Sequence, residues 1–276
     1  MNANQPRVAP AAFLFALALV SAAAVAGCAG SVGEGAPARP APDSATADGG
    51  DISADAANAE ASADAGREPN PLAPGVIVVL GSSTAAGFGP SNANDAWVRR
   101  YQNDLAVRFP NMGVINLAVG GYNTYHIQPT GFAPPDGRAA PNAEKNITAA
   151  LALGADAIVI NMPSNDQAAG HTLLEVMDNF ERVTDEASAA GVPCWVTTTQ
   201  PRNLNAGGKL ALITARDAIL AAYGEYAIDF WTDLAEPDGG ILPAYDSGDS
   251  IHMNGAAHAI LTDRVLAAQI AETVAR

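Results

Sequence analysis

From residue 75 onward, short unbroken apolar runs alternate with stretches of helical spacing. Val76-Ile77-Val78-Val79-Leu80 is apolar at every position and stops at Gly81, the pattern of a strand covered on both faces. Similar runs occupy Val114 to Ala118, Ala157 to Asn161 and Val192 to Thr198, with a shorter one at Tyr226 to Asp229. Between the first two, Trp97, Val98, Tyr101, Leu105 and Phe109 recur on one helical face, and Pro110 ends the helix predicted over 95–109. The pattern predicts further helices over 142–153, 172–190 and 204–223, and a single amphipathic helix over 255–274. Residues 120–140, rich in Gly, Pro and aromatics, read as a functional loop. Five strand–helix alternations with no internal repeat predict one three-layer α/β domain around a parallel sheet.

The first 74 residues have a different texture. Arg7 precedes an apolar run of 16 residues, Ala11 to Ala26. A spanning helix needs about 20 such residues, so residues 1–27 read as a signal segment. The run closes on Val25-Ala26-Gly27-Cys28, which resembles the lipobox of bacterial lipoproteins. That resemblance implies a lipidated Cys28 and an exported protein anchored to a membrane of the cell envelope; the plainer reading is an ordinary secretory signal. Residues 28–74 hold Ala, Pro, Gly, Ser and Asp with almost no large apolar side chain. Such a composition cannot offset the entropy of ordering, and a disordered tether is expected.

Charge and cysteine usage narrow the classes. Of the net −15, the tether carries −6 and residues 71–276 carry −10, with Arg7 making up the difference. A domain of that sign lacks the basic face that nucleic acid requires. Two distant cysteines give neither a disulfide scaffold nor a zinc site. Cys194, inside an apolar run, reads as a small core residue.

Ligands of a parallel α/β sheet bind beyond the carboxyl ends of the strands, so the segments after each run are the ones to inspect. Gly81-Ser82-Ser83-Thr84-Ala85-Ala86-Gly87 fits neither a phosphate loop nor a dinucleotide fingerprint. It places a serine at a helix start, either a cap or a nucleophile whose reaction builds an oxyanion. Asp249-Ser250-Ile251-His252 sets an acid three residues before a histidine. In a turn, that acid can hold the imidazole tautomer that leaves Nε2 as base; otherwise it is a plain surface turn. Gly121 and Asn165, after the second and third runs, supply a backbone N–H and a side-chain NH2, or are ordinary turn residues. His126, His171 and His258 are scattered, with no metal-ligand spacing.

Nucleophile after strand one, Gly after strand two, Asn after strand three and D-x-x-H near the C-terminus is the block order of the SGNH (GDSL-type) hydrolases, which residues 76–276 resemble. The resemblance implies a flavodoxin-like α/β/α fold with a five-stranded parallel sheet (the SGNH hydrolase fold), covering a domain of residues 75–276. It implies serine esterase activity without a cofactor or metal. By position, Ser83 is the nucleophile, Asp249 orients, His252 is the base, and Ser83, Gly121 and Asn165 form the oxyanion hole. Two blocks depart from the pattern: Ser82 stands where the family has Asp, and Pro163 where it has Gly.

Tyr122, Asn123, Arg138 and Pro163 are expected to border the substrate pocket. Their mixture of aromatic and polar groups suits an O-acetyl or short-acyl ester of a glycan or small molecule. The protein is expected to be a monomer. The alternatives are a lysophospholipase or thioesterase acting on lipid, and a lipid-anchored binding module that keeps the fold without turnover. Arg138 and Arg202 either meet an acidic substrate group or pair with the domain's own carboxylates.

Overall fold

The computed structural model describes residues 69–276 apart from Pro163; Cys28, the rest of the predicted signal segment and most of the predicted tether lie outside the described residues. Residues 70–73 already contact the domain, with Asn70 N–H on the Ala275 carbonyl at 3.1 Å and Asn111 Nδ2 donating to the Leu72 carbonyl at 2.7 Å.

Five strands, β1 (Gly75–Gly81), β2 (Met112–Asn116), β3 (Ala157–Asn161), β4 (Cys194–Thr197) and β5 (Ala227–Ile228), form one sheet in the order β2-β1-β3-β4-β5, every pair parallel. The helices are α1 (Ser83–Ala86), α2 (Trp97–Arg108), α3 (Ile147–Ala152), α4 (Asn165–Ala168), α5 (Leu173–Ala189), α6 (Ala206–Tyr223), α7 (Gly255–Ala267) and α8 (Ile270–Val274). This is the three-layer flavodoxin-like α/β/α architecture expected from the alternation.

The apolar runs are continuous because both sheet faces are covered. Ile77, Val79, Ala157, Val159 and Trp195 face one core, with Trp97, Tyr101 and Leu105 of α2 and Leu261 and Val265 of α7. Val78, Leu80, Ile158, Ile160 and Val196 face the other, with Ile147, Phe180, Val183 and Ile219. Successive strand residues point to opposite faces, so one run fills two cores.

Of the boundaries that differ from the sequence reading, three have a visible cause. Asn142 is not a helix start: α3 begins at Ile147, where Asn146 Oδ1 accepts from Ala149 N–H and caps it. Strand β2 begins two residues early and ends at Asn116, whose side chain donates to the Ala85 carbonyl at 2.7 Å. The last helix is two, α7 and α8, because Gln269 takes the left-handed conformation (φ +51°) and breaks the ladder. By contrast α5 begins where Thr172 and Glu175 form a reciprocal capping box.

The order of strands reverses between β1 and β3: β2 lies to one side of β1, while β3, β4 and β5 are added on the other. That switch point opens a crevice at the carboxyl ends of β1 and β3. Ser82 and Ser83 leave β1 there, and Ser164 and Asn165 follow β3.

Candidate active site

The turn after β1 is built on close backbone approach. A Cβ on Gly81 would lie 2.7 Å from Ala85 Cβ and 3.0 Å from the Asn161 carbonyl, so only glycine lets the strand fold directly onto α1. Ser82, fully buried, donates its N–H to the Asn161 carbonyl at 3.1 Å and ties the turn to β3. Ser83 is the first residue of α1 and is 9% exposed. That helix has only four residues, so what it offers is the direction of its free N–H groups and little dipole.

Gly121 follows β2 with φ +85° and open space where a Cβ would be. Its conformation, not crowding, calls for glycine. Neighbouring Gly120 faces the nucleophile turn: a Cβ there would be 3.4 Å from the Phe88 ring and 3.9 Å from Ser83 Cβ. Among the described residues, the N–H groups of Ser83 and Gly121 donate to no protein acceptor.

Asn165 opens α4. Its Nδ2 donates to Ser82 Oγ and to the Tyr122 carbonyl, each at 2.8 Å. Its Oδ1 accepts from Arg202 Nη1 at 3.2 Å. A guanidinium can only donate, so this contact fixes which way the amide faces. Ser82 therefore has a site role despite replacing an acid: its hydroxyl holds the Asn165 amide. Asp166, also buried, accepts from Thr124 N–H and Oγ1 (2.6 Å) and contacts His171 Nδ1 at 3.0 Å, locking the segment after Gly121 to α4.

The acid and histidine share one turn. Asp249 Oδ2 lies 2.6 Å from His252 Nδ1, and its Oδ1 accepts from His252 N–H (2.7 Å), Ile251 N–H (2.9 Å) and Ser247 Oγ (3.1 Å). Burial alone would raise the Asp249 carboxyl, but the hydrogen bonds from His252 and Ile251 outweigh it and hold the group well below the usual carboxylate range. An ionised carboxylate is an acceptor only, so Nδ1 carries the proton and Nε2 presents its lone pair. Ser250, between them, sits at φ +65°, and Asp246 Oδ1 receives its N–H and that of Gly248.

Phe88 and Gly89 connect the two centres. Phe88 N–H donates to the Ser83 carbonyl at 2.9 Å, and its ring lies 5.6 Å from the His252 imidazole, centre to centre. Gly89 (φ +108°) lies so close to the His252–Met253 backbone that a Cβ would stand 2.0 Å from the Met253 carbonyl oxygen. The two centres thus border one cleft. Among the described residues no hydrogen bond joins Ser83 Oγ to His252, an open arrangement common before substrate binds.

The segment after β4 crosses all these parts. Gln200 Oε1 accepts from Thr84 Oγ1 at 2.6 Å, and its Nε2 reaches the Ile251 carbonyl at 3.4 Å. Asn203 N–H donates to the Ser250 carbonyl at 3.0 Å. Gln-Pro-Arg-Asn was visible in the sequence as a segment at a strand end, but Gln200 carried no signal of its own. Its partners lie 116 and 51 residues away.

Of the residues expected to border the pocket, Tyr122 stacks on His126 with ring centres 4.3 Å apart, and Asn123 Oδ1 contacts His126 Nδ1 at 2.9 Å. Pro163 lies outside the described residues. Arg138 pairs with Glu175 at 2.6 Å beside the Tyr125 hydroxyl, and that guanidinium draws the Glu175 carboxyl down to about 2. His258 is buried with Nδ1 accepting from Trp97 N–H at 3.1 Å. Cys194 opens β4 against the second core, and burial pushes its thiol up.

Comparison with known proteins agrees with this fold. The psychrotrophic esterase EstA from Pseudoalteromonas sp. superposes with a TM-score of 0.51 at 16% identity, over 70% of this chain and 96% of its own. TesA gives 0.52 at 20% identity, covering 71% and 98%. A GDSL-like lipase from Bacteroides thetaiotaomicron VPI-5482 gives 0.51 at 14%, covering 77% and 95%. At such identities the likeness is one of fold. No curated protein sequence matches the chain. The sequence profile of the GDSL-like Lipase/Acylhydrolase family matches residues 79–260, about two thirds of the chain. The chain therefore belongs to the GDSL-like lipase/acylhydrolase family and is a serine ester hydrolase.

Proposed function

We propose that this enzyme removes acetyl or other short acyl groups from glycans or small alcohols through an acyl-enzyme on Ser83. The observation that carries the reading is the pair of backbone N–H groups, from Ser83 and Gly121, that find no acceptor among the described residues, near the Asp249–His252 pair. His252 Nε2 takes the Ser83 proton as Oγ attacks the ester carbonyl. The oxyanion is held by those two N–H groups and by the Asn165 amide, for which it competes with Ser82 Oγ and the Tyr122 carbonyl. The alcohol leaves with the proton from His252. Water, deprotonated by His252, then releases the acid.

The surroundings of the serine support a small acyl group: a Cβ on Gly120 would lie 3.9 Å from Ser83 Cβ, and the exposed Phe88 ring stands beside His252, where it can flank an acetyl group. The apolar run ending at Cys28 supports export and anchoring by lipid at that residue, which metabolic labelling of wild type and Cys28→Ala with a tagged fatty acid would test.

A fluorophosphonate probe is expected to label the full-length protein at Ser83, and the enzyme to release acetate from acetylated polysaccharide faster than it cleaves long-chain aryl esters. Labelling that persists in Ser83→Ala would move the nucleophile elsewhere, and a preference for long chains would overturn the substrate class.

A further inference from the structure

Arg202 is a half-buried guanidinium with an unusual set of partners. Arg100, Arg108, Arg138, Arg216 and Arg264 each lie within 4 Å of a carboxylate. Of those that do not, Arg99 and Arg276 are exposed to water, and Arg182 stacks over the Phe132 ring and donates to Gln128 and Asn179. Arg202 has none of these solutions. Its Nη1 donates to Asn165 Oδ1 at 3.2 Å and to Ser164 Oγ at 3.4 Å, and among the described residues Nε and Nη2 donate to nothing.

The absence of a counter-ion stands out because residues 71–276 hold 21 acids against 11 bases. Taking a charge partly out of water without a partner is unfavourable, and burial lowers the Arg202 pKa, with only the nearby Asp249 charge opposing it. Asp249 is near enough to be felt but makes no ion pair with Arg202; its carboxylate is turned to His252, Ile251 and Ser247. Nη1 is tied down next to the oxyanion amide, which leaves the Nε–Nη2 edge. Those two parallel N–H groups match a carboxylate or phosphate in bidentate fashion.

We infer that Arg202 binds an anionic group on the substrate, a carboxylate or phosphate a few bonds from the scissile ester. This rests on the proposed ester hydrolysis at Ser83 and narrows it to acidic esters, such as acylated uronic acids or acylated sugar phosphates. The Nε–Nη2 edge holds the anion while the neighbouring Asn165 amide faces the ester carbonyl, so one residue pair fixes both ends of the reacting unit.

Full-length wild type, Arg202→Gln and Arg202→Lys would be assayed on three acetyl esters: a 3-O-acetyl methyl glucoside, the corresponding glucuronide, and the 6-phosphate of the glucoside. Wild type is expected to favour at least one anionic ester over the neutral one, and which one identifies the anion. Arg202→Gln should lower kcat/KM on that ester about 10–100-fold more than on the neutral ester, the range of a lost charged hydrogen bond. Arg202→Lys should keep part of the preference. Ser83→Ala should bind methyl glucuronide or methyl phosphate, and the Ser83→Ala/Arg202→Gln double variant should not. A wild type indifferent to charge would overturn the inference while leaving the esterase reading intact. An equal loss on all three esters would also overturn it and assign Arg202 to positioning Asn165. Failure to turn over any of the three, with no fluorophosphonate labelling, would sink the esterase reading as well.

Discussion

Ser83 and His252 border one cleft, yet the chain holds them by different means. The nucleophile turn is part of the sheet: Ser82 is fully buried and bonded to β3, and Gly81 allows a backbone approach no other residue would permit. The Asp249–His252 turn is local. Asp249 has a half-exposed side chain and is held by groups within three residues of itself. The internal geometry of the acid–base pair is thus set by short-range hydrogen bonds, while long-range contacts set the nucleophile turn and, through Gln200, Asn203 and Gly89, seat the acid–base turn beside it. The nucleophile must meet oxyanion donors drawn from three strand ends, whereas the acid and base form one unit that has to meet Ser83 as a whole.

Removing chemistry from the rigid side should have the largest effect. Ser83→Ala is expected to lower kcat on an aryl acetate by about 10⁴-fold or more with an unchanged melting temperature; comparable turnover would dismiss Ser83. On the local side, Asp249→Ala should lower kcat by about 10²–10⁴-fold, again with little loss of stability because the turn is exposed. A large drop in melting temperature there would show that the turn is no independent unit. Gly89 joins the two sides. Gly89→Ala forces a Cβ against the Met253 carbonyl at φ +108°, and should cost about 3 kcal/mol. It should also reduce kcat tenfold or more by displacing the base from Ser83, readable by paired denaturation and kinetics.

The smallest effect concerns pH. Burial holds His258 at about 4, below the ordinary 6.5. Between those values the unfolded chain binds the extra proton, so the stability tied to the neutral ring is complete above pH 6.5. It is lost as pH falls toward 4, about 3 kcal/mol in all. His258→Asn keeps an acceptor for Trp97 N–H, and urea denaturation across that window should show a flatter profile than wild type. An identical slope would remove His258 as the source.

What was legible in the sequence follows the same division. Strands buried on both faces announce themselves as apolar runs, and β3 was readable to the residue. Ser83, Gly121, Asn165, Asp249 and His252 stand out in the sequence because each lies in the segment after a strand or in a short motif, and the structure brings Asp249 and His252 into hydrogen-bond contact. Gln200, Phe88 and Gly89 do not stand out, since each acts through residues far along the chain and periodicity carries no trace of such contacts. The break at Gln269 was hidden for another reason: glutamine has no preference for the left-handed region, so nothing marked the end of α7. Arg202 was visible as a residue at a strand end, but its want of a carboxylate is a property of three dimensions alone.

A turn that carries its own acid, base and bracing has a consequence for how this enzyme can change. The chain between β5 and Asp246 has an exposed tip at Pro237, in a small loop closed by Glu236 and Gly240 and tied by Asp238 to Lys209. An insertion at that tip would leave the hydrogen bonds inside the acid–base turn untouched, so the surface there can change without rebuilding the proton relay.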